Sequence, residues 1–396
     1  LIRLWESHSS LDAYALVHLA SAAGDALVAI ALADSVFFSL PVGQAKIRVA
    51  LYLALTMAPL AVAAPILIPL LDRGGFRRAI SFGAAAGRAA LAMYAAPRAS
   101  TLVLFPVAFG LLVLSKVHGV TKNGLTGAYA EPDEGLVRAN GRLGRVAVAG
   151  GALAAGPGIA LAATGGSTPV LYLAAAAYGV GALLTLRLVR PEEGRSLRGG
   201  ERGRQALGFA PVAAATLRGA SGFLLFLLAF ALRRSGQPAS WYAVLGAAAV
   251  GGGFVADVVA PRIPQSLREE AMLGVSLVVA GVAALAAFRY FDLPVLALFA
   301  FVAGMATEIG RLAFQSLMQA RTPEGMQGRV FVRYEVLFQL AWVAGAFVAA
   351  VLPVSIGTVS IIPLSFRGGV LILGIAYLGL GIVYATAHPQ RRRADA

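Results

Sequence analysis

Runs of about 20 apolar residues, each long enough to cross the hydrocarbon core of a bilayer as a helix, recur from one end of the chain to the other. They fall near 12–38, 47–71, 78–97, 101–125, 142–165 and 168–188, and again near 210–232, 240–260, 271–288, 293–318, 330–353 and 368–387. Twelve such runs in 396 residues leave room for little but short connections. With 59% hydrophobic and 13% charged residues, the chain cannot hide its apolar side chains in a water-soluble core. In lipid every backbone N–H and C=O must be satisfied internally, which leaves helical bundles and closed barrels. Runs of this length, with 46 glycines and abundant alanine to let helices approach closely, select the bundle. The expected fold is an all-α membrane protein of twelve transmembrane helices in two pseudo-symmetric six-helix bundles.

Arg187 to Gly208, with Pro191, Glu192, Glu193 and a cluster of arginines, is the one long polar connection and sits near the middle. It divides the chain into an N-terminal bundle (1–188), a cytoplasmic linker (189–209) and a C-terminal bundle (210–396). The halves repeat: Tyr129 to Arg138 follows the fourth run and Met318 to Arg329 follows the tenth. In both, a Pro, an acidic residue and a Gly precede an Arg at the next run, as in a parallel internal repeat. Most of the 33 Lys and Arg fall in connections on one side. The positive-inside rule then puts both termini in the cytoplasm and the protein in the inner (plasma) membrane. The first apolar run is too long for a cleaved leader and lacks a cleavage-site pattern, so none is expected. The chain starts at Leu1 rather than Met, which leaves room for native residues before it.

Several function classes are disfavoured. Cysteine is absent, and His8, His18, His118 and His388 lack ligand spacing, so no metal site is expected. The net charge of +14 is a topology signal in short loops rather than a nucleic-acid footprint. Neither Gly-x-Ser-x-Gly nor His-Glu-x-x-His occurs, and no catalytic residue is expected.

Between the second and third runs stands Asp72-Arg73-Gly74-Gly75-Phe76-Arg77-Arg78: a glycine turn, a carboxylate suited to a helix N-terminus, and arginines suited to an anionic leaflet. In sequence and place it resembles the loop signature of the major facilitator superfamily. Ala23-Gly24-Asp25 and the stretch Gln319 to Phe331 look like the branch holding macrolide and enterobactin exporters, itself similar to lysophospholipid transporters. Arg333-Tyr334-Glu335 through Gly345 looks more specifically like actinobacterial members of that branch. The antiporter glycine series is reduced to Gly150, Gly151 and Gly156-Pro157-Gly158, and the second-half loop signature, Pro261-Arg262 to Arg268-Glu269-Glu270, is degenerate. The resemblance implies two six-helix bundles and alternating access.

Ionisable residues at bilayer depth are costly, so each is a functional candidate. The resemblance implies that runs 1, 4, 7 and 10 line a central cavity, and each carries one. Lys116, Arg218 and Arg311 would form a basic floor that binds substrate. Asp25, with no cation near it in sequence, is the expected proton carrier and Glu308 its rival, although Arg311 three residues on shares a helix face with Glu308. Arg88 reads as structural, and His118 with Lys122 as a solvated face. Asp72, Arg73, Arg77, Arg78, Arg329, Arg333 and Glu335 would make a cytoplasmic gate, with Asp72 against the start of run 11. The expected function is proton-coupled export of an amphipathic or anionic small molecule by a monomer, with no cofactor but the proton gradient. The alternative is a lipid or lipid-linked precursor transporter or flippase in the same fold.

Overall fold

The computed structural model describes residues 9–33, 68, 76–101, 103–130, 135–189, 207–228, 238–263, 268–322, 326–351, 354–356, 359–362 and 365–387. They form eleven long helices: α1 Ser10–Ala33, α2 Arg77–Ala95, α3 Leu104–Tyr129, α4 Leu136–Gly165, α5 Ser167–Leu186, α6 Ala210–Leu227, α7 Ala239–Val259, α8 Glu269–Arg289, α9 Leu293–Arg321, α10 Gln327–Val351 and α11 Phe366–Ala387. Ten of these are long and apolar enough to cross a membrane. They make the chain a multi-pass membrane protein. The second apolar run, 47–71, lies outside the described residues except for position 68.

Two features depart from the apolar pattern. Helices α4 and α9 outrun their apolar stretches, because Leu136–Arg145 and Leu317–Arg321 continue the helix with polar residues. A two-stranded antiparallel hairpin, β1 Val354–Ile356 and β2 Val359–Ile362, sits between α10 and α11, pairing Val354 with Ile362, Ser355 with Ser360 and Ile356 with Val359. Its β-branched residues alternate with serine, a pattern that favours extended backbone.

The chain forms two compact units, Leu1–Gln205 with Gln319–Arg333, and Ala206–Met318 with Tyr334–Ala396. The break at Gln205 falls inside the expected linker, while the segment Gln319–Arg333 groups with the first unit instead of the second. In the first unit α1 packs along α4 and α5, and α2 along α3 and α5. The chain reverses between α4 and α5 at Gly166, whose φ of 68° suits glycine far better than any residue with a Cβ. The hydroxyls just beyond it pin the turn: Ser167 donates to the Ala31 carbonyl at 2.8 Å and Thr168 to that of Ala96 at 2.9 Å.

In the second unit α8 packs along α11 and α11 along α6. The α2–α5 and α8–α11 pairs join runs 3 and 6 and runs 9 and 12, so the internal repeat extends to packing. Lipid tails are as apolar as leucine and do not drive helices together; close van der Waals contact does. Gly219 and Gly345 therefore face each other's helices, and so do Gly252 and Gly304; at Gly252, Gly304 and Gly345 a Cβ would collide with the backbone of the neighbouring helix.

Candidate functional site

In the first unit polar side chains gather on one stripe of α1. His18, Ser21 and Asp25 are spaced to share a helix face, and Arg88 comes to it from the middle of α2. This arginine is 0% exposed. Its Nη1 donates to Ser21 Oγ at 2.9 Å and to Asp25 Oδ1 at 3.1 Å, and its Nε donates to the Ala84 carbonyl at 3.2 Å. The guanidinium lies 4.5 Å from the centre of the Tyr178 ring of α5, and the Tyr178 hydroxyl donates to Asp25 Oδ1 at 2.7 Å. The carboxylate of Asp25 is nevertheless 40% exposed, so it is bound on one side and open on the other. Gly24 makes room for this: a Cβ there would fall 2.5–2.7 Å from the Tyr178 ring. Helix α1 runs through Gly24-Asp25 unbroken.

This corrects one premise drawn from the sequence. Asp25 has a fixed cation, Arg88, 63 residues away along the chain. A second correction concerns His118, which is 4% exposed rather than on a solvated face. Its Nε2 lies 3.2 Å from His18 Nδ1, with the rings stacked 5.5 Å apart. Below them Arg142 of α4 pairs with Asp12 at the start of α1.

The same unit holds a buried amide chain. Asn140 Nδ2 donates to the Leu136 carbonyl and to Gln319 Oε1, both at 2.8 Å, and Gln319 Nε2 donates to the Asn123 carbonyl at 2.9 Å. Gln319 lies within the second repeat-bearing segment, and Asn140 lies two residues after the first.

In the second unit Arg311 of α9 is surrounded by acceptors. Its Nε donates to Glu308 Oε1 and Oε2 at 2.9 and 2.8 Å, and its Nη1 to Gln315 Oε1 at 2.8 Å. Its Nη2 bonds Glu308 as well and lies 3.9 Å from Asp257 Oδ1 of α7. Arg218 of α6 is exposed and lies in the fields of Glu335, Glu308 and Arg311. Among the described residues the group therefore combines two guanidiniums, Arg218 and Arg311, with three carboxylates, Asp257, Glu308 and Glu335. Fully ionised, it carries one net negative charge, so the basic floor expected from Arg218 and Arg311 is not what this unit presents. Arg311 has its donors committed to Glu308 and Gln315. Lys116, half-exposed on α3, belongs to the first unit.

Of the expected gate, Asp72 and Arg73 lie outside the described residues. Arg77 donates to the Gly124 carbonyl at 3.4 Å, and Arg78 to the Leu186 carbonyl at 2.5 Å, where a cation meets the negative end of α5. Arg329 and Arg333 are exposed near the start of α10 and belong to the first unit, while Glu335 belongs to the second. No group of three His, Asp or Glu that could hold a metal occurs among the described residues.

The fold is that of major facilitator superfamily transporters. The human organic anion transporter TETRAN superposes with a TM-score of 0.65 at 16% identity, covering 94% of this chain and 98% of that one. FucP, a major facilitator superfamily transporter captured in an outward conformation, gives 0.64 at 14% identity over 95% of this chain and 98% of its own. A bacterial homologue of the iron transporter ferroportin gives 0.62 at 16% identity over 96% and 99%. In sequence, the chain is 31% identical over 370 residues to an uncharacterized protein of Mycobacterium leprae, across 81% of this chain and 63% of that protein. An uncharacterized Mycobacterium tuberculosis protein is 37% identical over 156 residues, across 37% of this chain and 28% of its own length. The chain thus spans less than two thirds of the mycobacterial relatives it matches. No protein-family model matches it.

Proposed function

We propose that the chain is a secondary transporter that couples protons to the export of an amphipathic organic molecule across the plasma membrane. The observation that carries this reading is an arginine–carboxylate pair built deep into each unit, Arg88 with Asp25 and Arg311 with Glu308. Such pairs in transmembrane helices cost several kcal/mol to place and mark ion or substrate paths. Asp25 suits the proton: its carboxylate is open to one side, and protonation would loosen its pairing with Arg88. Arg218, exposed on α6, is the cation suited to an acidic group on the cargo. The fold neighbours include an organic anion transporter and a fucose:proton symporter, which supports both halves of the reading.

Purified protein in liposomes, with a pH gradient imposed and a panel of fluorescent amphipathic anions, cations and short-chain phospholipids offered, tests it. Gradient-dependent movement of an organic anion or cation is expected. Movement of the phospholipids alone supports the lipid alternative, and movement of none of the panel in either gradient direction counts against transport.

A further inference from the structure

We propose that His18 and His118 form a second station for the coupled proton, exchanging it with Asp25 across the face of α1. The inference deepens the reading of Asp25 as a proton site and rests on it. Two imidazoles from different helices meet with ring nitrogens 3.2 Å apart, one of them 4% exposed. At that distance one nitrogen must carry a hydrogen and the other accept it. An added proton goes to the outer nitrogen of the donating ring, the one still bare, and converts the pair to an imidazolium bonded to an imidazole, the charge-assisted and therefore stronger form. His118 Nδ1 is buried with no hydrogen-bond partner among the described residues, so its state is set by what the pair does rather than by a separate acceptor.

The charges around the pair fix how many protons the site holds. Arg88 faces it from α2, Lys122 lies one turn along α3, and Tyr14 and Asp25 flank His18 on α1. Arg142 of α4 is paired with Asp12, and Tyr178 of α5 is bonded to Asp25. With Asp25 ionised and both imidazoles neutral, the Asp25–Arg88 unit is balanced. One proton, on either Asp25 or the histidines, leaves a single positive charge; protons on both leave two in a buried setting beside Lys122. The site therefore takes one proton in two alternative places. Asp25 and His18 are two turns apart, about 10 Å along the helix, and Ser21 stands between them, its Oγ already bonded to Arg88. In the exchange the carboxyl of Asp25 loses the proton and becomes a carboxylate paired with Arg88. The imidazole pair gains that proton, and Arg88 stays protonated throughout. As Asp25 recharges, Arg88 is neutralised and the field that opposes a cationic imidazole weakens, so the two halves of the step support each other.

Nitrogen-15 NMR of histidine-labelled protein in nanodiscs, titrated from pH 8.5 to 4.5, reads the imidazoles directly and needs no substrate. In the unsubstituted protein His18 and His118 are expected to change together as one proton is taken up. Asp25→Asn removes the negative charge that balances Arg88 and keeps an acceptor for it. The pH at which the shared signal appears then moves down by about one unit, the size a unit charge at about 10 Å gives in a medium of intermediate dielectric. His8 and His388, assigned by their Gln variants, are internal controls that should stay put. His18→Gln leaves Asp25 and Arg88 in place and should remove the shared step, keeping His118 neutral across the range. The proposal is overturned if the two histidines titrate independently, if Asp25→Asn leaves them unmoved, or if His118 takes up its proton unchanged in His18→Gln. Because this readout involves no transport, it fails separately from the assignment of Asp25 as the coupling carboxylate.

Discussion

Asp25→Ala is expected to destabilise the first unit by about 3–5 kcal/mol, the usual consequence of leaving a buried ion without its partner. Arg88 is 0% exposed and would keep its charge with only the Ser21 hydroxyl, the Ala84 carbonyl and the Tyr178 ring for company. Arg88→Met should cost less, because the carboxylate it abandons is 40% exposed and keeps its bond from Tyr178. The double variant, with neither charge, should recover most of the loss. Thermal unfolding of the four proteins in detergent closes this cycle. Strictly additive single losses would mean that the two residues do not stabilise each other.

A comparable loss, about 3–5 kcal/mol, is expected in the second unit from Arg311→Met. Two carboxylates would lose their cation at once: Glu308, which accepts through both oxygens, and Asp257, whose side chain is only 4% exposed. Glu308→Gln should be milder, because the amide oxygen still accepts from Arg311 and Asp257 remains beside it. These outcomes separate a bundle-holding role for Arg311 from the substrate-binding role its sequence position suggests. If Arg311→Met unfolds like the unsubstituted protein and loses only its binding of organic anions, the guanidinium serves the cargo.

The bundle was legible because it is written in local pattern: apolar runs of membrane-spanning length, a polar stretch at mid-chain, and motifs recurring in each half. Glu308 with Arg311 was legible for the same reason, since three residues along a helix is one face. Asp25 with Arg88 was not, because they lie 63 residues apart on different helices and nothing along α1 announces the guanidinium that α2 delivers. The histidine pair was hidden further still, by 100 residues. His118 looked solvated because Lys122 follows one turn later, yet the face they share turns inward at His118. The charge balance of the second unit was misread because Arg218 and Arg311 were weighed along their own helices, while Asp257 and Glu335 come from α7 and α10. Residues on separate helices meet only through packing, and that is where reading one segment at a time ends.

Asp25 is the proposed site where proton movement meets transport. Asp25→Asn preserves the shape of the side chain and an acceptor for Arg88 and Tyr178 but removes the titrating carboxyl. The deciding measurement compares this variant with the unsubstituted protein in liposomes, following a cargo found in the panel under an imposed pH gradient and in exchange without one. Loss of uphill movement with downhill exchange intact is the result expected. Uphill movement by the Asp25→Asn protein at the normal rate would contradict the account.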